Sequence, residues 1–427
     1  MRVYFKIMHD GRFLTIFLTL MGLSLLFDVY SYYGLKTAVS GWKSAVFRKI
    51  LLYGYLVVAV GLMILTLAGI GTFRTPQGMR PFHEWVLSLF IALLVTKLFF
   101  VLVLFLWDSG RFLYAVGRRL FGGQRTPAQS FLPARRQFMV DSAILVAAVP
   151  FGAFMYAMLK GKYDYRIHRE TLYFDDLPEA FDGFTITQIS DIHSGSFDHR
   201  AAVQRGIRLA QDQKSDLFVF TGDLVNNVAE EIEPYLQDFG QLRSPFGQFS
   251  ILGNHDYGDY IRWDSPEAKD DNLEQLKKHH QNLGYRLLMN EHVMLEKGGQ
   301  QIALLGVQNW GRGFIQLGDI EKALEGVDKG AFKILLSHDP THWEEKIRFH
   351  STAIHLTLAG HTHGAQFGVE TDKFRWSPVQ YRYLDWAGLA KEKNRYLYVN
   401  RGFGFLAFSG RLGIWPEITV ITLKKTV

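Results

Sequence analysis

Asp191 and His193 close the apolar run FTITQISDIH (184–193), and Asp223 closes LFVFTGD (217–223). Asn254, His255 and Asp256 end GQFSILGNHD (247–256), His338 ends FKILLSH (332–338), and His361 and His363 end HLTLAGHTH (355–363). Carboxylate, amide and imidazole groups with no thiolate among them suit Mn, Fe or Zn rather than Ca, and not a thiolate structural zinc. A carboxylate has two oxygens and can bridge two ions. Two divalent ions about 3.5–4 Å apart can clamp a phosphoryl group and generate a nucleophile from water at neutral pH. The chemistry these residues point to is two-metal hydrolysis.

Each run has the length and the β-branched or aromatic content of a buried strand. Helical patterns over 199–213, 228–239 and 265–283 separate several of them, which predicts an α/β layered fold. In such folds ligands gather at the carboxyl ends of the strands, so the five run ends are expected to converge. Taken singly, the pieces say little. An H-x-H is more often a surface or core pair than a ligand pair, and a Gly-Asp is usually a turn. The set acquires meaning because all five pieces occur in order, each at a strand end.

The order D-x-H, G-D, G-N-H-D, a lone His and G-H-x-H resembles the calcineurin-like metallophosphoesterase superfamily, over about residues 183–424. YVNRGFG (398–404) and WPEITVITL (415–423) look like its membrane-anchored bacterial branch. The resemblance implies a domain of two packed mixed β-sheets flanked by helices, and in-line attack of a metal-bound hydroxide on a phosphoester. It implies that Asp191, His193 and His363 hold one metal, that Asn254, His338 and His361 hold a second, and that Asp223 bridges them. His255 is then the group that protonates the leaving oxygen or stabilises the transition state, and Asp256 orients its imidazole. Two positions depart from the pattern. Asn226 stands where many relatives carry Asp in G-D-x-x-D, which weakens support of the site by charge. Ala365 replaces the second Gly of G-H-T-H-G-G-Q, and a less demanding backbone is expected there. Arg401 and Arg411 are candidates for bidentate contact with a substrate phosphate; the alternative is that they pack on aromatic neighbours.

The chain has 427 residues, too many for one ordinary domain, and its halves differ. Residues 1–160 are strongly apolar, whereas 13 of the 15 histidines lie beyond 160. Four segments, about 12–33, 49–71, 85–107 and 138–159, match the roughly 20 apolar residues a bilayer span needs. The expected division is a transmembrane region at 1–160, a linker at 161–182 and the metallophosphoesterase domain at 183–427. There is no cysteine, which excludes disulfides and cysteine nucleophiles. The net charge of +6 sits mainly in loops of the apolar half, which suits an anionic membrane surface. No zinc-finger spacing and no basic stripe interleaved with aromatics is present, so nucleic acid is not an expected partner.

The first and third loops carry ten Lys and Arg, against nine on the other side, or five when the start of the folded domain is left out. That bias places those loops in the cytoplasm and both termini outside. With the resemblance, the expectation is a bacterial inner-membrane protein with an extracytoplasmic catalytic domain. The stretch Asp108–Gly123 has a basic and an apolar face, and reads either as a helix lying on an anionic leaflet or as a solvated loop. Lys97 lies mid-span with Asp28 and Asp141 toward the same side; it reads as a structural buried pair or as part of a polar groove that admits a headgroup.

These readings favour a membrane-bound phosphoesterase whose substrate is held near the bilayer: a phospholipid, a lipid-linked phosphate, or a UDP-sugar-lipid pyrophosphate. A transporter or channel regulated by the soluble domain is the alternative of another class. No broken-helix pair or internal repeat supports it. A metal-binding scaffold without chemistry has no need of His255.

Overall fold

The computed structural model describes residues 12–72, 81–121, 133–371 and 373–426. Two compact units are built mainly on Ala157–Val427 and on Arg2–Gly71 with Trp85–Tyr156.

The larger unit contains two six-stranded sheets. Strands β1 (Arg166–Phe174), β2 (Thr185–Ile189), β3 (Leu217–Phe220), β4 (Gln248–Ser250), β5 (Arg286–Leu287) and β14 (Glu417–Lys425) form the first, in the order β1-β14-β2-β3-β4-β5. Strands β6 (Glu291–Lys297), β7 (Gln300–Gly306), β8 (Lys333–Leu336), β9 (Leu356–Ala359), β12 (Gly388–Glu392) and β13 (Arg395–Val399) form the second, in the order β12-β13-β9-β8-β7-β6. A two-strand ribbon, β10 (Val369–Glu370) with β11 (Arg375–Trp376), stands apart.

Side-chain alternation explains why the sheets pack face to face. Ile186, Leu217 and Val219 of the first sheet and Ile334, Leu336, Leu356 and Leu358 of the second share one buried cluster. Their neighbours Ile189, Phe218 and Phe220 turn the other way, toward the helix Arg200–Gln211. Leu335 and Ala359 likewise turn outward, onto Trp343 and Ile347. All these strands are buried on both faces, so each reads as a continuous apolar run. A buried ion pair ties the sheets together: Arg401, just past β13, bonds Glu417 at the start of β14 at 2.6 Å. Strands β2, β3 and β4 are mutually parallel, as are β7, β8 and β9. The residues after β2, β3, β4, β8 and β9 are therefore the ones brought together.

The other unit contains the long helices Arg12–Ala38 and Ala45–Thr72, most of Pro81–Leu120 and most of Pro133–Leu159. Among the described residues, the segments Ala45–Gly69, Phe82–Leu120 and Arg136–Tyr163 are long and apolar enough to cross a membrane. Leu145, Val149 and Val57 on their outer faces are more than 70 % exposed, as lipid-facing side chains must be. Lys97 pairs with Asp28 at 2.7 Å, and Tyr55 donates its hydroxyl to the same carboxylate. Asp141 takes no part: it accepts the Gln137 amide at 2.9 Å, so the expected grouping of three becomes a pair. The stretch from Asp108 is neither a loop nor a separate surface helix. It continues the long helix through Leu120, although Gly122 and Gly123 lie outside the described residues.

Candidate metal centre

Five of the expected ligands sit on left-handed backbone. Asp191 has φ 53°, His193 47°, Asp223 59°, His361 75° and His363 51°. For residues with a Cβ this conformation is unfavourable and persists only where surrounding contacts over-determine it. The contacts are visible. The Asp191 amide donates to Gly222 O (2.9 Å) and the His193 amide to Asp223 O (3.1 Å), which lashes the first two loops together. The His361 amide donates to both oxygens of Asp191 (2.9 and 3.0 Å), which lashes the last loop to the first. Gly360 permits that approach, because a Cβ there would run into the Asp191 carboxylate and the Ser190 hydroxyl. Ala365 also has φ 51°, so the expected relaxation at that position does not occur: the loop keeps the conformation glycine would favour.

Two groups of ligand atoms result, each within 4.8 Å: Asp191, His193 and His363 in one, Asp223, His338 and His361 in the other. Asp223 links them. Its Oδ2 lies 3.1 Å from His338 Nε2 and 3.5 Å from His193 Nε2. Asn254 joins the second group through Oδ1, 2.7 Å from His361 Nδ1. The His255 ring stands 4.9 Å from that of His193 and stacks on Tyr260 at 4.3 Å. All eight residues are thus in one place.

The site has the makings of a cation cage. Nε2 of His193 is buried with no hydrogen-bond partner, and Nε2 of His338 and His363 face the Asp223 and Asp191 carboxylates at 3.1 and 3.3 Å. Orphaned buried polar atoms are costly unless something satisfies them, and imidazole nitrogens facing carboxylates suit a divalent ion. Burial pushes His193, His255 and His361 below the usual histidine range, so their rings are neutral at pH 7 and offer lone pairs. Burial opposes charge on Asp191 and Asp223, but the facing imidazoles, His363 and His338 first, hold both carboxyls below their usual range. Burial also disfavours charge on His338, yet the Asp223 carboxylate outweighs it and lifts the ring to about 10.

Other assignments change. Asp256 does not orient His255. Its carboxylate accepts the amides of Gly253 (2.8 Å), Asp223 (2.9 Å), Leu224 (2.8 Å) and Val225 (3.3 Å), and so sets the shape of the bridging loop. His255 Nδ1 pairs instead with the backbone carbonyl of Asn226 at 2.8 Å. The Asn226 side chain, though uncharged, serves the site: Oδ1 accepts His193 Nδ1 (3.0 Å) while Nδ2 donates to Ser196 Oγ (3.0 Å). Both arginines are buried and bound to protein partners rather than open to solvent. Arg401 is bound by Glu370 and Glu417. Arg411 is fully buried behind the first group, with Nε and Nη2 on Gly404 O and Nη2 3.1 Å from His363 Nδ1.

Three participants carried no earlier assignment. Thr221 O accepts His338 Nδ1 (2.7 Å). Tyr383 Oη lies 2.8 Å from His361 Nε2, and the buried Asp339 Oδ2 lies 3.4 Å from the same nitrogen. Asp339 adjoins a ligand and could have been flagged on that ground. Nothing in the sequence marks Tyr383, 22 residues beyond His361.

Comparison with known proteins agrees with this geometry. Residues 184–365 match the family model described as calcineurin-like phosphoesterase. Residues 11–162 match the one described as probable calcineurin-like phosphoesterase, transmembrane domain. The chain is 28 % identical over 304 residues to the uncharacterized metallophosphoesterase YkuE of Bacillus subtilis, covering 69 % of this chain and 98 % of that protein. It is 26 % identical over 298 residues to the phosphodiesterase YaeI of Escherichia coli, covering 68 % and 99 %. A transmembrane protein with metallophosphoesterase domain from Danio rerio is 28 % identical over 262 residues, covering 59 % of this chain and 55 % of that one.

Proposed function

Because the chain belongs to the calcineurin-like metallophosphoesterases and is a membrane-anchored phosphoric ester hydrolase, we propose that it cleaves a phosphodiester presented at a lipid surface. The observation that carries the catalytic reading is the position of Asp223 Oδ2 between His193 Nε2 and His338 Nε2. Asp191, His193 and His363 would hold one divalent ion and Asn254, His338 and His361 the other, with Asp223 shared. When bound, such a pair supplies Lewis acidity toward the phosphoryl oxygens and an activated water at neutral pH.

The chain's own residues aim this machinery. His338 Nδ1 donates to Thr221 O and His193 Nδ1 to Asn226 Oδ1, and each bond fixes the tautomer that turns Nε2 inward. His255 Nδ1 donates to Asn226 O, which leaves the Nε2 lone pair to face the substrate. The ring is neutral at rest because burial lowers its pKa. An anionic phosphoester beside it favours the imidazolium, which then passes its Nε2 proton to the leaving oxygen.

The diester reading is supported by the phosphodiesterase among the relatives, and the lipid surface by the membrane-spanning helices. The charge bias supports a catalytic unit outside the cytoplasm, at the inner membrane of a bacterial cell. Purified full-length chain with Mn²⁺ is to be assayed on an aryl phosphodiester, the matching monoester, a pyrophosphate, and phospholipid vesicles. Diester and vesicle turnover is expected. His255→Ala should lower kcat by about 100- to 10,000-fold, the usual contribution of a positioned acid. Asp223→Ala at wild-type rate would refute the centre, and turnover of soluble esters alone would refute the lipid substrate.

A further inference from the structure

The transmembrane unit contains a cavity of about 580 Å³ where three of its long helices meet. Tyr33, Lys36, Thr37 and Ser40 come from the end of the first helix and the turn after it, Trp107 and Arg111 from the third, and Arg136 and Gln137 from the start of the fourth. The Gln137 amide donates to Ala38 O at 3.1 Å, and the Tyr30 hydroxyl to Asp108 at 2.7 Å, so the three walls are joined.

The hydrogen-bond inventory of the walls shows what the cavity can take. The Thr37 hydroxyl is donated to Tyr33 O and the Ser40 hydroxyl to Thr37 O, so both oxygens remain as acceptors. Gln137 spends its amide on Ala38 O and Asp141. The other donors on the walls are cationic side chains and one orphaned indole. Lys36 and Arg136 form no ion pair among the described residues. Arg111 lies 3.7 Å from Asp108 and adds its positive charge to the third-helix wall. Trp107 Nε1 is buried with no hydrogen-bond partner. Three cations, an unpaired indole N–H and two hydroxyl acceptors match a phosphodiester anion that carries hydroxyl groups of its own. Basic pockets between transmembrane helices recognise anionic headgroups in this manner. Tyr33 and Trp107 are also the residue types that settle at a membrane–water interface.

We propose that this cavity is a binding site for the headgroup of an anionic phospholipid, separate from the metal centre. Lys36, Arg111 and Arg136 neutralise the phosphate, Trp107 Nε1 donates to one of its oxygens, and Thr37 and Ser40 accept from the headgroup hydroxyls. The site lies among the loops that the charge bias assigns to the cytoplasm, where a standing lipid would fix three helix ends. No hydrolysis is assigned to it.

The test uses full-length chain in detergent, read by native mass spectrometry with added phosphatidylglycerol, phosphatidylcholine or inorganic phosphate. Phosphatidylglycerol should stay bound and phosphatidylcholine should not. Lys36→Ala with Arg136→Ala should weaken retention by about thirty-fold, the effect of removing two cations beside an anionic headgroup. Lys36→Arg with Arg136→Lys should restore it. If the alanine pair does not fold, Trp107→Phe removes a single donor, and it should weaken retention and reduce fluorescence quenching by brominated phosphatidylglycerol. Equal retention of both lipids, or unchanged retention in the variants, would overturn the proposal. So would displacement of the lipid by inorganic phosphate, which would make this a site for free anion.

Discussion

Asp256 spends its carboxylate on backbone amides rather than on the neighbouring His255: Oδ2 accepts the amide of the bridging residue Asp223 at 2.9 Å. With three further amides bound, Asp256 is a template for the loop that carries the bridging carboxylate. Asp256→Ala should therefore destabilise the protein by about 3 kcal/mol or more, because it strands several buried donors. Its affinity for Mn²⁺ should fall with it. At saturating metal, any activity left in Asp256→Asn should keep the wild-type pH–rate profile. A displaced limb would mean that Asp256 tunes His255 after all.

Asn226 should control the first metal through His193. Removing the partner of a ligating imidazole typically costs 10- to 100-fold in metal affinity. Asn226→Ala should show a loss on the order of 10- to 100-fold in a metal titration. Asn226→Asp, which places a negative charge behind the His193 ring, should bind metal at least as tightly as the native chain. The Asn226 carbonyl that holds His255 survives in both, so kcat at saturating metal should change little.

Acid stability should trace to the pair that ties the sheets. Burial alone would raise the Glu417 carboxyl, but Arg401 beside it prevails and holds it at about 2, against an ordinary value of 4.5. A depressed carboxylate contributes stability above its unfolded pKa and loses that contribution as pH falls through the folded value. The contribution is on the order of 3 kcal/mol, present above about pH 4.5 and lost toward pH 2. Denaturant titrations of Glu417→Gln should show lower stability at neutral pH and a shallower fall below pH 4.5.

Lys97 and Asp28 should behave as a structural pair. Lys97→Ala leaves a buried carboxylate with only hydroxyl partners, and breaking such a pair costs roughly 3–5 kcal/mol. Lys97→Met with Asp28→Leu removes both charges and should recover most of the loss. Melting in detergent, with hydrolysis of a soluble diester as control, distinguishes this from a transport role. A transport role predicts that the double variant stays folded and loses flux through liposomes.

Much of the site is legible in the chain because both its chemistry and its position repeat the local pattern. The five apolar runs become buried strands because every residue in them faces either the partner sheet or a helix. Parallel order then puts their polar ends together. Arg401 and Arg411 show where this reasoning stops. A guanidinium looks the same in sequence whether it faces a phosphate or a buried carboxylate, and only the return of β14 beside β2 places Glu417 against Arg401. The Asp256 template and the Asn226 carbonyl escape detection for a related reason: they act through backbone groups, which leave no residue-type signal.

The sequence by itself determined the fold class, the membrane half, and the donor set that converges on the site. These depend on periodicity, length and ligand chemistry, all local properties of the chain. Tertiary structure alone decided which atom faces which. It set Asp223 Oδ2 between two histidines, gave His255 to a carbonyl, tied Arg401 to Glu417 and Arg411 to His363, and paired Lys97 with Asp28 rather than Asp141. Partner choice among like groups is settled by distances of a few ångströms between segments far apart in the chain, and no local pattern encodes them.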